Sequence, residues 1–104
     1  MTASSEQDAR ALAQAIQAVI AAWIETHYKD RTGPWAAEAY TTILSGVGFV
    51  AAYHAAALNV VAAVSGKDPS VGEQALGEIY ELVRTLIPVY EQEVRRGIKA
   101  SPVT

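Results

Sequence analysis

Apolar residues recur at every third or fourth position in two stretches of this chain, and fill a third without any period. Leu12, Ile16, Val19, Trp23 and Ile24 keep helical spacing between Glu6 and Tyr28, which predicts an amphipathic first helix over about 6–28. Leu76, Ile79, Val83, Ile87, Tyr90 and Val94 keep the same spacing between Ser70 and Arg96, which predicts an amphipathic third helix over about 70–96. The middle segment, about 34–65, carries no charge from Ala39 to Gly66. Ile43, Val47, Val50, His54, Ala57 and Val61 share one face of it. Phe49, Tyr53, Val60 and Val64 share a second, and Gly48, Ala52, Ala56 and Ala63 a third.

Turn chemistry separates the three. YKDRTGPW (28–35) and SGKDPS (65–70) concentrate charge, glycine and proline, which marks them as breaks. Pro34 suits a first helical position behind a Thr32 or Gly33 cap. Ser4 with Gln7, and Ser70 with Glu73, have capping-box spacing. Glu91 precedes Arg95 by four residues, the favourable order for a helical ion pair, and Gly97 suits a C-cap. Pro88 removes one backbone hydrogen bond inside the third segment, which predicts a bend there. The fold expected is all-α: three long antiparallel helices in an up-down-up bundle, one domain over 1–104, with 1–4 and 98–104 as frayed tails.

Composition sharpens the nature of the packing. Twenty of the 104 residues are alanine, a strong helix former and a poor strand former. Ala11, Ala15, Ala18 and Ala22 add a purely alanine stripe beside the larger seam of the first helix. It serves a close helix approach, or simply fills a solvated face. A helix apolar all round must be covered all round, and in a three-helix hairpin the central helix has only two neighbours. Oligomerisation is therefore expected to complete the fold, most simply as a two-fold dimer, with Gly48, Ala52, Ala56 and Ala63 as the candidate interface. A different protein could supply the same cover.

The uncharged run is long enough to cross a bilayer. Its alanines give little transfer energy, and Tyr53, His54 and Asn59 would lie near the bilayer centre, where polar groups are costly. These features argue against insertion. The net charge of −3 argues against nucleic acid, whose phosphates need a basic face. The start, MTASSEQDAR, has neither a basic nor an apolar signal region, so a cytoplasmic location is expected. Absence of cysteine excludes disulfides, thiolate metal sites and a cysteine nucleophile.

Chemistry-bearing residues are few. No Glu-x-x-His, HExxH or G-x-S-x-G motif occurs, so no metal site or serine nucleophile is expected from spacing. His27 lies near Glu25, but two residues apart on a helix they face different ways. His54 falls on an apolar seam and is expected to point inward, as a satisfied core histidine or as a haem or metal ligand. Were Tyr53, His54, Asn59 and Tyr80 to converge, they would line a small ligand pocket. Two functions follow. The first is a non-catalytic assembly module, as a homo-oligomer or a small subunit of a larger complex. The second is a ligand- or haem-binding bundle, even a small enzyme, built around His54 and the tyrosines.

Overall fold

The computed structural model describes residues 3–29 and 35–100, with side chains over 4–29 and 35–97. The fold is all-α: α1 (Ala3–Tyr28), α2 (Trp35–Val64) and α3 (Val71–Ala100), with no strand among the described residues. The expected caps at Thr32, Gly33 and Pro34 lie outside the described residues, as do the tail positions 1, 2 and 101–104. α1 begins before Ser4, and α3 continues through Gly97 to Ala100, so neither residue marks a helix end. α3 also runs through Pro88 as one helix. The chain divides into two compact units, Met1–Gly48 and Phe49–Thr104, which meet within α2.

In the first unit, burial is concentrated where α1 ends and α2 begins. Tyr28 and Ala39 are buried, and Ile20, Trp23, Ile24, Trp35 and Ile43 are half-buried. The tryptophan after the break closes on α1: Trp35 stacks on Tyr28 with ring centroids 5.5 Å apart. Trp23 meets Tyr28 edge-on at 5.5 Å and stacks with His27 at 4.6 Å. Each such pair contributes about 0.5–1.5 kcal/mol beyond its buried area. Further from its C-terminal end the α1 seam is open, with Leu12, Ile16 and Val19 at 62%, 44% and 69% exposure.

The second unit repeats this logic with polar groups. α2 ends in a Schellman cap: Gly66 takes a positive φ of 72°, its amide donates to Ala63, and the Lys67 amide donates to Ala62 at 2.8 Å. Only glycine enters that conformation at low cost. Ala62 and Gly72 are buried, and Ala51, Ala55, Asn59, Val71, Ala75, Leu76 and Leu86 are half-buried. Ile79, Val83, Ile87, Tyr90 and Val94, the remainder of the α3 seam, are about half exposed or more. The Glu91–Arg95 pair forms at 3.9 Å, on the surface, where such pairs contribute little.

Asp68 organises the start of α3. Its carboxylate accepts from the Ser70 hydroxyl at 2.7 Å, the Ser70 amide at 2.9 Å and the Gln74 side-chain amide at 2.8 Å. Those bonds, the Ser70 hydroxyl foremost, hold the Asp68 carboxyl below the usual carboxylate range. A depressed folded pKa contributes stability above the unfolded pKa, and that contribution disappears as pH falls through the folded value. Acid titration of the thermal midpoint below about pH 4 should therefore be steeper in the wild type than in Asp68→Ala. Parallel acid limbs would show that Asp68 contributes nothing to the cap.

Candidate functional site

The most constructed polar site in the chain joins α2 to α3. Asn59, one helical turn before Ala62, directs its side chain at the first turn of α3. Its Oδ1 accepts from the Gly72 amide at 2.6 Å, and its Nδ2 donates to both carboxylate oxygens of Glu73, at 3.1 and 3.2 Å. The first amides of a helix have no intrahelical acceptor, so Asn59 caps α3 from a neighbouring helix. Glu73 is used in this clasp, and Ser70 bonds Asp68. The capping box expected between Ser70 and Glu73 is thus replaced by two acceptors from outside the helix. Gly72 is the contact point: an added Cβ would overlap the Ala55 carbonyl oxygen and come within 2.6 Å of Asn59 Oδ1.

Gly46 and Gly48 have open space within the chain where a Cβ would sit. Gly72 is where a Cβ would collide. Its sequence signal was a lone glycine within the first turn of a helix, and its partner lies thirteen residues upstream.

The four residues expected to converge on a pocket have separate contacts. Tyr53, 73% exposed, meets its neighbour His54 edge-on at 5.4 Å. Asn59 is committed to α3. Tyr80 is 61% exposed, with the Arg84 guanidinium 5.9 Å from its ring centre. His54, expected inward, is exposed, because the covered side of α2 around it is the one carrying Ala51, Ala55 and Asn59. Its Nδ1 lies 2.9 Å from the Val50 carbonyl. A carbonyl only accepts, so Nδ1 is the donor in this contact. His27 makes the same contact with the Trp23 carbonyl at 2.9 Å. Either Nε2 could ligate a metal or haem iron, but no group of three or more His, Cys, Asp or Glu side chains gathers among the described residues.

An open groove of about 340 Å³ lies at the α2–α3 turn, lined by Leu58, Val61, Ala62, Ser65, Lys67, Asp68, Val71 and Gln74. None of Tyr53, His54, Asn59 and Tyr80 lines it. Its polar lining is Ser65, Lys67 and the Asp68–Gln74 cap, and the rest is apolar.

The surface of α2 is the other distinctive feature. Phe49, Tyr53, Val60 and Val64 are 78%, 73%, 62% and 80% exposed, and Val50 and Val61 are exposed beside them. Several polar side chains of α2 are bonded to the helix itself. The Thr41, Thr42 and Ser45 hydroxyls donate to the carbonyls of Ala37, Glu38 and Thr41, and His54 donates to Val50. No family model matches this sequence, and no curated protein or solved structure shows significant similarity to it.

Proposed function

We propose that this chain is a non-catalytic helical assembly module, whose second helix is covered by protein when the chain associates with copies of itself or with a larger complex. The observation that carries this reading is the exposure of Phe49, Tyr53, Val60 and Val64 along one side of α2. A soluble monomer rarely presents a continuous apolar strip of that extent, and hydrophobic burial is the main drive for association. Native mass spectrometry at micromolar concentration should show a defined oligomer free of bound small molecules, unchanged in His54→Ala. A stable monomer would contradict the reading. A retained ligand, or a visible absorbance lost in His54→Ala, would favour the binding-protein alternative in which His54 Nε2 holds haem or a metal.

A different observation favours a second reading. α2 is long and apolar enough to cross a membrane, and little of its most apolar stretch is buried within the chain. The Thr41, Thr42 and Ser45 hydroxyls and His54 donate to its own carbonyls, a pattern that suits hydrocarbon as well as a dry protein interface. Flotation with phosphatidylcholine vesicles separates the two: an assembly module stays with the aqueous fraction as an oligomer, and a spanning helix floats.

A further inference from the structure

We infer that α2 carries a hinge at Ser45–Gly48, a section whose helical hydrogen bonds open ahead of the rest of the helix and uncouple the two compact units of the chain.

The first support is backbone. Gly46 and Gly48 stand two apart in the interior of α2, and each glycine weakens a helix relative to alanine. Packing offsets such a cost at Gly72, which touches Ala55 and Asn59. At Gly46 and Gly48 a Cβ would meet nothing within 4 Å, so no contact within the chain holds the segment. The turn before them adds to the effect. The Thr41, Thr42 and Ser45 hydroxyls each donate to the carbonyl four residues back. Hydroxyls bonded in this way weaken a helix slightly and often bend it, and serine beside glycine is a recurrent place for a kink.

The second support is where the compact units divide. The first ends at Gly48 and the second begins at Phe49, so the division falls on the glycines although residue type has no part in it. The cover of each unit lies away from this point. Tyr28, Trp35 and Ala39 form it in the first unit, and Asn59, Ala62 and Gly72 in the second. Residues 44–50, between them, are all exposed. A helical section with few buried contacts and solvent-exposed backbone bonds belongs to the least stable part of a structure.

Both tryptophans, Trp23 and Trp35, belong to the first unit. Their fluorescence therefore reports that unit, while far-ultraviolet dichroism reports every helix. Urea unfolding followed by the two signals should give different midpoints in the wild type, because coincident transitions mark one cooperative unit. Hydrogen exchange should be faster at amides 47–52, whose bonds span the glycines, than at 57–62 of the same helix. Gly46→Ala and Gly48→Ala should each slow exchange at 47–52 about five-fold, and together roughly 30-fold. The double variant should also draw the two unfolding midpoints together. Gly77→Ala, on α3, should leave exchange at 47–52 unchanged. Coincident transitions in the wild type, or exchange at 47–52 as slow as at 57–62, overturn the inference. A loss of stability or of oligomer mass in either glycine variant also overturns it. That result would assign the glycines to a close helix contact and support the assembly reading.

Discussion

Gly72→Ala will lower the stability of the α2–α3 joint by about 2–4 kcal/mol, the combined cost of overpacking against backbone and of breaking a partly buried hydrogen bond. The methyl group would occupy space held by the Ala55 carbonyl and Asn59 Oδ1. Because the first obstacle is backbone, no rotamer change relieves it, and α3 must move away from α2. That movement strands the Gly72 amide and releases the Glu73 carboxylate from Asn59. The matched control is on the same helix: a Cβ at Gly77 meets nothing within 4 Å. Gly77→Ala should therefore gain the ordinary helix-propensity difference, up to about 1 kcal/mol. Thermal unfolding followed by circular dichroism reads both. If the two alanine variants shift the midpoint in the same direction, the close packing at Gly72 is wrong. Asn59→Ala should reproduce part of the Gly72 loss, since it removes the acceptor and leaves the space.

Val60→Glu is the second large effect, and it acts on association and spares the chain's own packing. Val60 is 62% exposed in the isolated chain, so a carboxylate there meets water and α2 keeps its helix. In the assembled protein the same carboxylate would be desolvated against an apolar stripe with no cation in reach. Burying an unpaired charge at an interface costs about 2–5 kcal/mol, which is roughly a 30-fold to several-thousand-fold rise in dissociation constant. Sedimentation should therefore show the variant as a smaller species than wild type at equal concentration, with unchanged far-ultraviolet dichroism. Gln92→Glu, on the charged side of α3, should leave the mass distribution alone. An unaltered oligomer in Val60→Glu would remove the α2 stripe from the interface.

The three helices could be read from the chain because their signals are local. Period and turn residues placed the ends of α2 within a residue, since Gly66 and the charged break at 28–35 act on their own segments. What could not be read was which apolar positions find cover. Leu12, Ile16 and Val19 have the same period as Ile20, Trp23 and Ile24, but only the latter lie near the end of α1 where Tyr28 meets Trp35. Period reports a face, whereas burial depends on how far two helices stay together. The polar clasp was hidden for a related reason. Asn59 looked like an anomaly inside an apolar run, and Ser70 with Glu73 looked like a self-contained cap. Their true partners depend on the register between α2 and α3, which no local rule supplies. His54 shows the converse: the period places it on an apolar face, but a face is inward only when something lies against it.

The self-bonded side chains of α2 bear on how its polarity is counted. Transfer scales treat threonine, serine and histidine as groups that lose water when buried. In α2 the donors of Thr41, Thr42, Ser45 and His54 are already occupied by carbonyls of the preceding turn. Moving the helix out of water leaves those bonds intact, so composition overstates the resistance of this segment to a dry environment. Measured insertion or dimerisation energies for an isolated α2 peptide should accordingly be more favourable than additive residue scales give.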